Sequence, residues 1–241
     1  MDLAKLGSRI KLLREKRRLR QVDIASALRL SAQAVSKWER GENAPDIAVL
    51  VQLAHLLGVS VEWLLTGNED APGTLHATVF ATYLCDYAER AMQQSPAVLA
   101  NWINVIHYAV TEAVLRAGGV PIKCVGDGFL GFFSGDDQAS RALIAAREAK
   151  SATNNTDLVV VLNAGPVFLG TIGHPDYARS DVIGATVNTT FLLAPFVAEH
   201  CPTRIGVTQS VVRQLGEGNR LDFCGETAVL GVTSPVAVFV G

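Results

Sequence analysis

The sequence holds four cysteines, Cys85, Cys124, Cys201 and Cys224, with no C-x-x-C pair and no histidine cluster beside them. Such scattered thiols argue against a zinc site and against a disulfide scaffold, and they suit a reducing compartment. No stretch reaches the roughly 18 uninterrupted apolar residues of a membrane span. The nearest, LVVVLNAGPVFLGTIG at 158–173, is broken by Asn163, Pro166 and several glycines, and reads as two buried strands with a turn. The opening MDLAKLGSRIKLLREKRRLR is charged and amphipathic and has no apolar signal-peptide core. These absences lead to the expectation of a cytoplasmic protein with no membrane partner. What is present is 49% hydrophobic residues over 241 positions, enough to bury the cores of two domains.

The net charge of −2 conceals an asymmetry. Residues 1–67 carry 11 basic and 7 acidic side chains, a net of +4, and the remainder is net −6. A basic front on an acidic body suggests that only the N-terminal part meets a polyanion.

Periodicity divides the chain in the same place. Leu6, Ile10 and Leu13 form a helical stripe, and Gln21 to Leu28 reads as a second helix. Ser31 is placed to cap a third over Ala32–Arg40, Pro45-Asp46 opens a fourth running to Leu57, and Ser60 caps a last short turn. The polar, Gly- and Pro-punctuated stretch TGNEDAPGT at 66–74 reads as a linker. Domains are therefore expected at 1–67 and 75–241, joined by 68–74. The second half alternates: strands at 75–81, 121–125, 129–133, 158–162, 167–172, 204–208 and 236–240; helices at 96–117, 138–149 and 187–199; and a short helix near 210–215. Gly126-Asp127-Gly128 signals a hairpin. The fold expected is an all-α domain of five short helices followed by an α+β domain with a mainly antiparallel sheet.

Two helices joined by a short turn, the second capped by Ser and presenting Gln and Lys, follow the helix-turn-helix pattern. Residues 3–65, and the WERGENAPD block above all, closely resemble the Cro/repressor-like (XRE-type) regulators. The resemblance implies a recognition helix at Ala32–Arg40 with Gln33, Ser36 and Lys37 at base edges, and Gln21, Arg40 and Asn43 at phosphates. The chemistry agrees: Gln matches adenine's donor and acceptor, and Lys donates to guanine O6 and N7. Arg14 and Glu39 match a buried ion pair of that family. A double-stranded DNA operator with two half-sites, and so a homodimer, is the implied partnership.

The segments K-x-x-GDG-FLGFF, LNAGPVFLGTIG and DVIGATVN, in that order, resemble the class III nucleotide cyclase homology domain, of ferredoxin-like fold. The resemblance makes Lys123 and Asp181 an adenine-selecting pair, Asn188 a ribose-orienting residue and Asp127 a metal carboxylate. Adenine's N1 accepts from the ammonium, and its amine donates to the carboxylate. Three charged elements of the pattern are missing. Thr82 stands in place of the second metal Asp and Leu192 in place of the transition-state Arg, and AVLGVTSPVAVF offers no late phosphate-binding Lys. Each residue also has a plain structural role open to it: Asp127 as turn chemistry, Lys123 on a solvated strand, Asp181 capping a loop and Asn188 capping a helix.

The expectation is a transcriptional regulator, a repressor, that is not an enzyme and whose cyclase-like domain dimerises and senses an adenine nucleotide or related small ligand without Mg²⁺. Two alternatives stand beside it: a pure dimerisation scaffold without ligand, and an active or heterodimeric adenylate cyclase.

Overall fold

The computed structural model describes residues 2–67, 73–154, 157–174, 178–216 and 221–241. The expected linker 68–74 lies mostly outside them.

The N-terminal domain is α1 (Leu3–Lys16), α2 (Gln21–Leu28), α3 (Ala32–Glu39), α4 (Ile47–Leu57) and α5 (Val61–Thr66). Their boundaries are set by side-chain caps read directly from the sequence. Ser31 Oγ accepts from Ala34 N at 3.2 Å, Asp46 Oδ1 from Val49 N at 2.9 Å and Ser60 Oγ from Trp63 N at 3.0 Å. Each satisfies one of the orphan amides of a helix start. Ile10, Ile24, Val35, Leu50 and Leu57 are fully buried at the centre.

The second domain runs β1 (Thr74–Leu84), α6 (Tyr87–Gln93), α7 (Pro96–Arg116), β2 (Val120–Val125), β3 (Gly128–Ser134), α8 (Gln138–Thr153), β4 (Leu158–Ile172), β5 (Arg179–Ile183), α9 (Ala185–Leu192), α10 (Ala194–His200), β6 (Ile205–Thr208), α11 (Gln209–Val212), β7 (Asp222–Thr227) and β8 (Val236–Val240). The sheet order is β2-β3-β1-β4-β6-β8-β7, with β5 added to the far end of β4. Among the described residues, only the β4–β6 pairing is parallel. On one face Phe80, Phe129 and Phe133 pack with α7 and α8. On the other, Leu75, Ala77, Val79, Leu130, Phe132 and Val167 join the helical domain's core in one continuous cluster.

Several elements differ from the sequence expectation. The two strands of 158–172 are a single β4 whose register with β1 is unbroken from Leu158 to Phe168. Pro166 is tolerated because of where its missing N–H would point. Leu169 N donates toward β1, to Gly73 O, and Val160 N donates to the opposite side, to Arg204 O. By alternation Pro166 N faces that opposite side, in the gap between the partners β6 and β5. The helix expected over 187–199 is two, α9 and α10, parted at Leu193, with Pro195 in the first turn of α10. Strands β5 and β7 and helix α6 were not anticipated. Among the described residues, α7 is the one helix long and apolar enough by composition to cross a membrane. It buries Ile106, Val110 and Val114 against the sheet domain's core.

Candidate functional site

On α3, Gln33 and Lys37 are exposed one turn apart, and Val35 and Trp38 on the opposite side are buried. Ser36 is half-buried, and its hydroxyl accepts from Arg40, whose Nε also meets Glu42 at 2.6 Å. That hydrogen bond holds the Glu42 carboxyl below its ordinary value and raises Arg40. A phosphate at Arg40 therefore competes with Glu42. Gln21 points inward, its amide donating to Glu39 Oε2 at 2.8 Å. Arg14 grips the same carboxylate at 2.6 and 3.0 Å, making the buried pair that the sequence pattern implied. Asn43 is half-buried, with its carbonyl oxygen enclosed and unpartnered by protein.

In the second domain Gly126 and Asp127 form the two-residue turn between β2 and β3. Gly126 has φ +58, and glycine is the residue that takes a positive φ there without steric cost. The turn is stapled to the end of β1 by reciprocal bonds. Asp127 Oδ2 accepts from Leu84 N at 3.2 Å, and the buried Thr82 Oγ1 accepts from Phe129 N at 3.1 Å. His107 Nε2 lies 3.1 Å from Gly126 O, so this histidine supports the turn from α7. The donor set does not fit a Mg²⁺ pair, which wants several anionic oxygens. One carboxylate is present, and the matching position is a neutral hydroxyl already engaged with backbone. Asp86, further along, is paired to Arg90 on α6 instead.

Lys123 and Asp181 do come together. They lie on β2 and β5, and the Lys123 ammonium and the Asp181 carboxylate form an ion pair. Asp181 Oδ1 also accepts from Val182 N at 2.8 Å. The pair sits on the wall of a cleft of about 1250 Å³ between the two domains. Its opposite wall is α4, through Ala48, Val51, Gln52 and His55. Asp127 and Asn188 do not line this cleft. Asn188 is exposed on α9, and the cap of that helix is Gly184, so Asn188 is not the cap residue. Helix α9 is held tightly to β4: Thr186 Oγ1 donates to Pro166 O at 2.8 Å and Asn163 Nδ2 to Thr186 O at 3.0 Å. Leu192, at the end of α9, is 43% exposed. Sequence reasoning missed the α4 wall altogether, since no local pattern links residues 48–55 to Lys123.

A Ser-capped recognition-type helix ahead of an α+β sheet with a hairpin GDG turn defines a two-part class: a helix-turn-helix module followed by a cyclase-type domain. The comparisons agree. The Helix-turn-helix family model matches residues 10–64. The transcriptional regulator DicA of Escherichia coli is 38% identical over 69 residues, which is 29% of this chain and 51% of that protein. The uncharacterized regulator y4dJ of Sinorhizobium fredii is 37% identical over 73 residues, 30% of this chain and 95% of its own length. The adenylyl cyclase CyaB from P. aeruginosa superposes with a TM-score of 0.59 at 19% identity, covering 69% of this chain and 93% of that structure. This chain belongs to the XRE-type helix-turn-helix transcriptional regulators, and its second domain has the class III cyclase fold. The chain spans about half the length, or less, of the first curated relatives it matches.

Proposed function

We propose that the protein is a DNA-binding repressor, working as a homodimer, whose cyclase-type domain is a non-catalytic sensor of an adenine compound. Exposed Gln33 and Lys37 on α3, above a buried Val35–Trp38 face, support base reading by that helix. The observation that carries the sensor reading is the Lys123–Asp181 pair on the wall of the interdomain cleft. Adenine offers each partner of that ion pair a complementary group: ring N1 accepts from the ammonium, and the exocyclic amine donates to the carboxylate. Guanine presents the reverse pattern. Because α4 forms the other wall, a ligand in the cleft touches the DNA-binding domain and the sheet at once, and it couples to DNA binding to the extent that it favours one arrangement of the two over another.

Against catalysis stand the engaged Thr82 hydroxyl and the apolar, exposed Leu192. Phosphoryl transfer needs paired metal ions and charge compensation that these side chains do not supply. The test is a thermal-shift titration of the full chain with ATP, GTP, cyclic AMP and cyclic GMP. At 100 times its Kd a ligand adds about 2.7 kcal/mol of stability. A rise with one adenine compound and not its guanine counterpart, lost in Lys123→Ala, is expected. No rise with any of them favours the ligand-free scaffold.

A further inference from the structure

The four cysteines are far apart in sequence, but the fold brings two of them together. Cys201 is the C-cap residue of α10, and Cys224 lies on the edge strand β7. Their sulfurs are 2.8 Å apart as free thiols. A one-residue irregularity makes the meeting. The β7–β8 register slips between Phe223 and Gly225, so Cys224 is the extra residue of a bulge. Bulges bend a strand and re-aim a side chain. Gly225 then permits close approach: at φ +156, a Cβ there would stand 3.0 Å from the Phe196 ring of α10. Cys201 belongs to an apolar cluster with Val159, Val161, Val197 and Val238, and Cys224 packs against it. Cys201 is 3% exposed, and Cys224 is half-buried.

We propose that Cys201 and Cys224 are an oxidisable dithiol that closes to an intrachain disulfide when the protein meets a hydroperoxide. The sulfurs are already in contact, so the two thiols are placed to react with each other. Cys224, the more accessible thiol, takes the first step. Its thiolate attacks the peroxide oxygen and breaks the O–O bond, giving a sulfenic acid and hydroxide. Cys201 then attacks the sulfenic sulfur. Its proton leaves with the displaced hydroxide as water, and in sum two thiols and one hydrogen peroxide give a disulfide and two waters. Burial and the hydrogen bond with Cys224 hold the Cys201 thiol above its ordinary value, so the first attack falls to Cys224. The bond pins β7 to the end of α10 and closes a loop that contains β6 and α11.

The test treats the folded full chain with hydrogen peroxide, alkylates the remaining thiols and maps the peptides by mass spectrometry. The expected product is a crosslinked peptide joining Cys201 to Cys224, with Cys85 and Cys124 alkylated, reopened by dithiothreitol. A Cys85→Ser/Cys124→Ser protein keeps the crosslink, and Cys224→Ser abolishes it. Because the wild-type map needs no substitution, a misfolded variant does not spare the proposal. Alkylation of both Cys201 and Cys224, at a peroxide dose that oxidises free cysteine in the same solution, overturns it. So does pairing of either with Cys85 or Cys124, or closure seen only in denaturant.

Discussion

Glu39 accepts three hydrogen bonds, two from Arg14 and one from Gln21, and so binds α1, α2 and α3 together. Its side chain is only 4% exposed, so Glu39→Ala leaves a largely buried guanidinium with only the exposed Glu15, at 3.4 Å, as counter-charge. A loss of about 3 kcal/mol in chemical denaturation is expected, and a change under about 0.5 kcal/mol, typical of a surface site, contradicts the packing role. Thr82 makes a second residue-scale case. Thr82→Val removes the acceptor for the buried Phe129 amide and costs about 1–2 kcal/mol, leaving any nucleotide response in place. If instead Thr82→Val abolished the response at unchanged stability, the threonine would belong to the ligand site. On α3, Gln33→Ala and Lys37→Ala each weaken binding to a selected operator by about tenfold or more, with an unchanged melting temperature. Anisotropy with labelled DNA reads the effect directly.

Elements differ in how much of them the sequence displays. The helices of the first domain were legible because their signals are local: Ser31, Asp46 and Ser60 each bond an amide three residues on. The GDG hairpin and the long α7 were legible for the same reason. Strand β4 was misread because Pro166 looks like a breaker until its neighbours are known, and the gap between β5 and β6 is a tertiary fact. The approach of Cys224 to Cys201 depends on a bulge, which no spacing announces. At the candidate site, the family pattern singled out Lys123 and Asp181, which the fold pairs on a cleft wall, but it carried no sign of α4 facing them. That wall supplies the element-scale prediction. Ala48 is small, exposed and turned into the cleft, so Ala48→Trp fills space that a ligand needs. It is expected to weaken nucleotide binding about tenfold or more while α3 still binds DNA. Unchanged nucleotide affinity by calorimetry places the ligand elsewhere.

Across the whole molecule the two domains meet through a shared apolar cluster and through an ion pair between Lys5 on α1 and Asp136 after β3. The hydrogen bond with Lys5 depresses Asp136 below the ordinary carboxylate value, and the same bond raises Lys5. The carboxylate's share is present above its unfolded value of 3.8 and lost only as pH falls through the lowered folded value. The lysine's share is full below 10.5 and lost as pH rises through the raised folded value. The pair therefore stays charged through the neutral range and yields to salt, since both groups are exposed. Asp136→Asn is expected to speed protease nicking between the domains at low salt, with the difference vanishing at high salt. A difference that persists at high salt assigns Asp136 another role.

We propose that occupancy of the Lys123–Asp181 cleft alters how the α3 helix meets DNA. The most direct test measures operator affinity with and without the adenine compound that stabilises the protein, for the wild type and for Lys123→Ala. Coupling of this kind typically changes affinity by about 5- to 150-fold. A shift of that size is expected in the wild type and none in the variant. Equal affinities with and without ligand, at saturating occupancy in the wild type, contradict it.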